Sequence, residues 1–328
     1  MVNIHILGTG AIGCHIGAVL KSHQNKVTLL LRSQSHFEDF KNKQNSITYR
    51  CQGKANVIAG FDADVVGENA NKPPIESLIV STKANHTLNA IKQVIPRLSS
   101  QSTILLLQNG MGVAEELVDN LWPNKAPPTI LIGVNRHAVE RIASYDICHH
   151  SGYQDPDALR IGQFPTKDHS SVTIQESKLL QKIIETPELQ AAQLSWEEIR
   201  VKMYKKLIVN ACINPVASLL MSKNIGTIKN GNPGGIAMMR AICEEAYDVF
   251  KDDLPGESVN TLMNMVLAIN KEAGENICST LQDIKANRLT EIDYINGYIC
   301  KMGYKKNISV KSNQAIVNLI HAKEALYE

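Results

Sequence analysis

At 328 residues, with 44% hydrophobic and 20% charged residues, the chain is long enough for two domains and has the composition of a folded protein, which excludes wholesale disorder. A formal net charge of +2 and the lack of a basic run argue against a nucleic-acid or membrane surface as partner. The seven cysteines, never at Cys-x-x-Cys spacing, suggest neither a disulfide framework nor a metal site, and no apolar run is long enough for a signal peptide or a membrane span, so a cytoplasmic protein is expected.

The first third alternates strand-like apolar runs with helical patterns, the mark of βαβ units. The spacing predicts strands over residues 2–7, 27–31, 78–81, 104–107 and 130–134, and helices over 11–22 and 87–98. Between 136 and about 171 the pattern breaks into short pieces, including 152–156 and 164–169, which read as antiparallel edge strands and loops. From Trp196 onward helical spacing takes over, over residues 196–220, 235–250, 259–270, 279–286, 291–300 and 311–325. The change of register places a domain boundary between 193 and 194, giving domains 1–193 and 194–328.

Gly8-Thr9-Gly10-Ala11-Ile12-Gly13 lies between the first strand and the first helix, the context that makes a Gly-x-Gly-x-x-Gly run informative. Gly8 permits the tight turn, Gly10 lets backbone approach a pyrophosphate, and Gly13 lets helix and strand pack closely, while free N–H groups at the helix start meet phosphate. The alternative is a glycine-rich turn with no ligand. The next strand ends in Leu31-Arg32-Ser33 without the carboxylate that takes the ribose hydroxyls of NAD, so Arg32 is positioned to pair with a 2′-phosphate and NADPH is favoured over NADH. Arg32 could equally be a surface arginine on a turn. Lys83 and Gln108-Asn109-Gly110 follow later strands at their carboxyl ends, where ligands bind in open α/β sheets. Each could also be a cap or a turn.

In the helical half, Lys206, Asn210 and Asn214 stand four residues apart in an apolar run that ends at Pro215, so one polar stripe runs down one helix face. Burying such groups unpaired costs several kcal/mol, so the stripe faces either a polar cleft, other protein groups or bulk solvent. Lys202 extends the stripe by a turn, whereas Lys205 points about 100° away from it. A second polar constellation runs from Ser279 to Thr290-Glu291-Ile-Asp293-Tyr-Ile-Asn296-Gly297, where Thr290 and the carboxylates also make a good helix start.

Taken in order, the glycine loop, Lys83, Gln108-Asn109-Gly110, Lys206-x3-Asn210-x3-Asn214-Pro215 and Thr290-Glu291-Ile-Asp-Tyr-Ile-Asn-Gly297 resemble the ketopantoate reductase (2-dehydropantoate 2-reductase) family. The match spans the Rossmann segment and most of the helical half and weakens over about 136–200. The resemblance implies an α/β fold, an N-terminal Rossmann-type dinucleotide-binding domain followed by an all-α C-terminal domain similar to that of 6-phosphogluconate dehydrogenase. It implies Lys206 and Glu291 as catalytic residues and Asn109, Asn210, Asn214 and Ser279 as substrate-binding residues. For the cofactor, NADPH, it implies Gly8, Thr9, Gly10, Ala11, Ile12, Gly13, Arg32, Lys83 and Asn109, with no metal.

The reaction so implied is NADPH-dependent reduction of 2-dehydropantoate to pantoate in pantothenate and coenzyme A biosynthesis, by a monomer or homodimer acting on a small 2-oxo acid. Two other readings stay open, a related reductase of another small 2-oxo acid and a catalytically silent NADP-binding regulatory protein. Lys206 together with Glu291 weighs against the silent protein, because a sensor needs neither a proton donor nor its partner.

Overall fold

The structure, a computed structural model, describes residues 2–68, 72–166 and 174–327. The chain divides into two compact units, residues 1–108 with 113–199, and residues 109–112 with 200–328.

The first unit runs β1 (Asn3–Leu7), α1 (Ala11–Ser22), β2 (Lys26–Leu31), α2 (Gln34–Asn42), β3 (Ile47–Cys51), β4 (Lys54–Ile58), β5 (Asp62–Val65), β6 (Ser77–Val80), α3 (Ala84–Lys92), β7 (Thr103–Leu106) and α4 (Val113–Leu121). It continues through β8 (Thr129–Asn135), β9 (Ala138–Ala143), β10 (Asp146–Ser151), β11 (Leu159–Gln163), α5 (Lys178–Ile184) and β12 (Ala191–Gln193). Eight strands form one sheet in the order β12-β11-β8-β7-β6-β1-β2-β5. From β5 to β8 all neighbours are parallel, and β11 joins antiparallel to β8. Strands β6 and β7 are buried at every residue, which is why they read as unbroken apolar runs.

A smaller sheet, β4-β3-β10-β9, holds the antiparallel β9–β10 pair expected from the broken middle pattern, with β3 added parallel to β10. Helix α1 serves both sheets: its Ile16 and Leu20 share one core with Ile4, Ile6 and Leu29 of the large sheet and Ile47 and Ile147 of the small one. Of the expected piece 164–169, Phe164 extends β11 by donating its N–H to Ile130 at 2.9 Å, and residues 167–169 lie outside the described residues.

Several elements carry no sequence period to find. Strand β4 is exposed at four of its five residues, and α2 buries Phe40 alone. The helix expected over 87–98 starts earlier, at Ala84, and ends at Lys92, and Ile95–Arg97 forms a separate 3₁₀ turn. Pro96 is the reason, because it has no N–H to give the carbonyl of Lys92, four residues before it.

The divide between units falls within α6 (Trp196–Leu219), which is followed by α7 (Pro233–Phe250), α8 (Val259–Glu272), α9 (Ser279–Lys285), α10 (Asn296–Lys305) and α11 (Lys311–Glu324). Tyr204 stacks on Phe250 at 4.4 Å and Phe250 faces Tyr298 at 6.2 Å, tying α6, α7 and α10 through one aromatic column. Helix α11 has no side-chain cap of its own; the Glu245 carboxylate of α7 accepts the N–H groups of Ser312 at 2.7 Å and Asn313 at 2.9 Å instead. Among the described residues no helix is long and apolar enough to cross a membrane.

The helix expected over 291–300 is broken. Ile292–Tyr294 is a 3₁₀ turn, Ile295 leaves helical geometry at φ −109 and ψ −95, and α10 starts only at Asn296. Two contacts account for it: the Thr290 hydroxyl accepts the Ile292 N–H at 3.3 Å, and the Tyr294 carbonyl is taken by the Met111 N–H at 2.8 Å.

Pro215 stands inside α6 and has no N–H to give the carbonyl of Ala211, four residues before it. Asn296, fully buried, supplies the missing donor: its Nδ2 reaches the Ala211 carbonyl at 3.2 Å and the Asn313 Oδ1 at 3.0 Å. Asn313 in turn donates to Glu245 at 2.8 Å. Asn296→Leu should leave two buried acceptors unpaired and lower stability by about 2–6 kcal/mol, at roughly 1–3 kcal/mol each. Urea unfolding checks this, and a loss below about 0.5 kcal/mol would sink the account.

Candidate active site

In the large sheet β1 lies between β2 and β6, and the chain winds outward from β1 toward β5 on one side and from β6 toward β8 on the other. The carboxyl ends of β1 and β6 therefore flank the topological switch point, where open α/β sheets bind ligands. The residues there are Gly8 to Gly13 after β1 and Ser81-Thr82-Lys83 after β6.

Gly8 has φ +107, and a Cβ on it would lie 2.6 Å from the Thr82 backbone nitrogen. The Ser81 hydroxyl donates to the Gly8 carbonyl at 2.7 Å, stitching the two loops together. A Cβ on Gly13 would stand 1.9 Å from the Gly8 oxygen, so α1 lies as close to the loop as backbone allows. A Cβ on Gly10 would meet nothing within 4 Å, leaving open space beside the backbone at the start of α1. Gly10 is the N-cap, with no side-chain cap and no acidic residue in the first turn, so Ala11, Ile12 and the residues around them present N–H groups of a bare helix end. Gly-lined room beside such an end fits a dinucleotide pyrophosphate.

Lys83 occupies the N-cap position of α3, and its carbonyl accepts the Thr87 hydroxyl at 3.0 Å. Arg32 is exposed just past β2, where its Nε donates to His36 Nε2 at 2.8 Å; His36 Nδ1 meets the Ser33 hydroxyl at 2.8 Å. That arrangement orients a guanidinium at the strand exit with no carboxylate before Glu38.

In the second unit, every side chain of α6 from Met203 to Ser218 is buried except Lys205, Lys206 and Asn210, which are half-buried. A helix washed by bulk solvent along one face would show a wider exposed stripe, so the solvent alternative does not describe α6. Lys205 is accounted for by an ion pair with Glu257, whose carboxyl is held below the ordinary glutamate range first by the Lys205 hydrogen bond and then by that of Thr261. Lys202, Lys206, Asn210 and Asn214 remain on the other line, with Asn214 9% exposed. Ser279 opens α9 beside this line, because its neighbour Cys278 donates Sγ–H to the Asn214 carbonyl at 3.4 Å.

Asn109 arrives in this unit from far away in sequence. Gly110 sits at φ +84 with its Cα against Tyr294, where a Cβ would lie 2.4 Å from the carbonyl oxygen, and a Cβ on Gly112 would lie 3.1 Å from the Tyr298 ring. The Met111–Tyr294 hydrogen bond locks this loop onto the segment that carries Glu291. Glu291 is only 5% exposed, and an acid that well buried is held by specific partners rather than by water. The residues that sequence reasoning passed over are those that hold the others: Ser81, Cys278, Tyr294 and Asn296. Of these, Tyr294 and Asn296 lay inside a noticed motif, and nothing local marked their partners, the Met111 N–H and the Ala211 carbonyl.

These two sets have the layout of a two-part dinucleotide oxidoreductase, with a glycine loop and a bare helix end at a switch point in one unit and a lysine–amide stripe with a buried acid in the other. The family model described as "Ketopantoate reductase PanE/ApbA" matches residues 4–166, and "Ketopantoate reductase PanE/ApbA C terminal" matches residues 198–324. The chain is 32% identical to the "Probable 2-dehydropantoate 2-reductase" of Schizosaccharomyces pombe, covering 98% of this chain and 97% of the relative. Among solved structures it is similar to the probable 2-dehydropantoate 2-reductase panE of Bacillus subtilis, with TM-score 0.73 and 25% identity over 98% of this chain and 100% of that one. It shares a fold with D-mandelate dehydrogenase in ternary complex with NADH and anilino(oxo)acetate, with TM-score 0.81 and 21% identity over 99% of each chain. The chain belongs to the ketopantoate reductase family.

Proposed function

We propose that the chain reduces 2-dehydropantoate to (R)-pantoate with NADPH, a step toward pantothenate and coenzyme A, as a cytoplasmic monomer or homodimer. The observation that carries the reading is the α6 line, where Lys206 and Asn210 stay half-open on a helix otherwise buried from Met203 to Ser218, with the rival Lys205 engaged by Glu257. Residues 1–193 hold the cofactor and 194–328, with Asn109, the substrate.

Bound at the glycine loop, NADPH would supply the hydride. The Ala11 and Ile12 backbone and the α1 N-terminus bind its pyrophosphate, Thr9 and Lys83 line the same crevice, and Arg32 takes the 2′-phosphate. Asn109, Asn210, Asn214 and Ser279 hold the substrate's carboxylate and hydroxyl groups, fixing the carbonyl in a reactive orientation. The Lys206 ammonium stabilises negative charge growing on the carbonyl oxygen and donates the proton that makes it an alcohol. Glu291 anchors the substrate hydroxyl and offsets the ammonium charge.

The test is oxidation of NADPH by purified protein across a panel of 2-dehydropantoate, pyruvate, 2-oxoisovalerate and benzoylformate. Fastest turnover with 2-dehydropantoate is expected; preference for another acid would move the reading to that acid, and tight NADPH binding with no turnover would move it to the silent protein. On the cofactor side, Arg32→Ala should weaken NADPH roughly 10- to 150-fold, the value of one charge-assisted contact at about 1.5–3 kcal/mol, and leave NADH little changed. Equal loss for both cofactors would make Arg32 an ordinary surface residue.

A further inference from the structure

The first unit holds a buried cluster that the proposed reaction does not use. His15 of α1, His137 between β8 and β9, and His149 of β10 are 0%, 5% and 2% exposed, and each offers a ring nitrogen within 4.8 Å of the other two. The rings lie 4.4 to 5.0 Å apart, centroid to centroid. Nothing in the sequence marks these positions, which come from a helix, a strand and the connection between two other strands.

The hydrogen bonds of the cluster constrain which nitrogens carry protons. His137 Nε2 is 3.0 Å from the Leu189 carbonyl, a pure acceptor, so it carries the proton and leaves a lone pair on Nδ1. That lone pair lies 3.1 Å from His149 Nε2, and His149 Nδ1 is 2.6 Å from the Tyr49 hydroxyl. If Tyr49 donates, a chain running from Tyr49 through His149 and His137 to Leu189 is complete and excludes His15. Both nitrogens of His15 are then buried without a hydrogen-bond partner, at a cost of roughly 1–3 kcal/mol for each unpaired group. If Tyr49 accepts instead, two lone pairs face each other at 3.1 Å with a third from His15 nearby, an arrangement stable only around a cation.

We propose that His15, His137 and His149 form a binding site for a late first-row divalent cation, with Zn²⁺ as its representative ligand. Three imidazoles are a donor set suited to Zn²⁺, Ni²⁺ and Cu²⁺ rather than to Mg²⁺ or Ca²⁺, which take oxygen. Tetrahedral zinc with Zn–N near 2.05 Å puts nitrogens about 3.3 Å apart, so the His137–His149 pair is already close to that spacing and His15 has only a modest ring movement to make. The fourth position falls to solvent or an anion. Leu189 and Tyr49 then act as the outer partners that accept the second ring N–H of ligating histidines. Burial holds all three imidazoles below the ordinary histidine range, His149 at about 4, so the neutral ligating form prevails at pH 7. The ion would pin α1, whose N-terminus follows the glycine loop, to the small sheet and to the 3₁₀ turn Pro187–Leu189.

The test is calorimetric titration of Zn²⁺ into chelator-treated full-length protein, with Co²⁺ absorption spectra and thermal unfolding alongside. One equivalent per chain is expected, with a rise in Tm and a tetrahedral Co²⁺ spectrum free of thiolate charge transfer. His15→Leu should abolish binding, and Tyr49→Phe, a gentler change, should weaken it 10- to 100-fold. No stoichiometric binding to the native protein, a thiolate band from the free cysteines, or full affinity retained in either variant would overturn the proposal. Should His15→Leu fail to fold, the Tyr49→Phe affinity decides.

Discussion

Lys206→Ala is expected to lower kcat with 2-dehydropantoate by about 10²- to 10⁴-fold while leaving NADPH affinity within a few-fold of the native enzyme. In the proposed reaction the ammonium would do two things, stabilise charge on the carbonyl oxygen and deliver a proton to it, and the first alone is worth about 10²- to 10³-fold in comparable sites. Lys206 is half-buried, so alanine is accommodated and stability should change little. Lys206→Arg should remain impaired, because a guanidinium keeps its proton at any working pH and holds it in a planar fork. Lys205→Ala is the matched control. It removes the ion pair with Glu257, whose Lys205 side chain is 34% exposed, and should cost below about 1 kcal/mol of stability with kcat little altered. If single-turnover measurements show Lys206→Ala within tenfold of native, or Lys205→Ala as the damaged variant, the proton donor has been misassigned.

Gly13→Ala carries the second large effect, and it should strike fold and cofactor together. The new Cβ would stand 1.9 Å from the Gly8 oxygen and 2.4 Å from the Ser81 hydroxyl, where ordinary contacts begin near 3.4 Å. The Gly8 oxygen cannot yield easily, since Gly8 sits at φ +107 and its carbonyl already accepts from Ser81. Helix α1 must therefore lift from the loop, at a cost of about 1–3 kcal/mol or more, and NADPH affinity should fall at least about 100-fold as the backbone cradle opens. Gly10→Ala separates the two effects. Its Cβ meets nothing within 4 Å and its φ of −76 suits any residue, so stability should hold or rise slightly, while the methyl group occupies the space a pyrophosphate needs. Thermal unfolding and fluorescence titration with NADPH read both variants. A Gly13→Ala protein with native Tm and affinity would refute the close-packing argument.

Much of this architecture is written locally. The run from β1 through α1 to β2 was legible because period-two and period-3.6 apolar patterns meet at a glycine loop, and α7, α8 and α11 because each buries one stripe over several turns. The breaks came where a single distant contact outweighed the local pattern. Residues 291–300 carry helical spacing, yet the Tyr294 carbonyl is claimed by Met111 and the helix waits until Asn296. Thr290 was legible as a helix start, yet no long helix begins there: its hydroxyl accepts the Ile292 N–H, and the 3₁₀ turn that follows has Glu291 as its N-cap with no side-chain cap.

The candidate site divides the same way. Gly8, Gly10, Gly13, Lys206, Asn210 and Asn214 could be named from spacing, since each acts within its own turn or helix face. What the amino-acid order alone determined, then, was the set of elements, the glycine loop and the polar stripe, because backbone geometry converts near-neighbour spacing directly into a shared face. Only the tertiary structure decided that Lys205 belongs to Glu257, that Asn296 answers the carbonyl stranded by Pro215 across 85 residues, and that three histidines converge on one buried point. Those choices depend on which unpaired polar groups the fold brings within hydrogen-bond reach, and burial makes leaving them unpaired too costly for any other outcome.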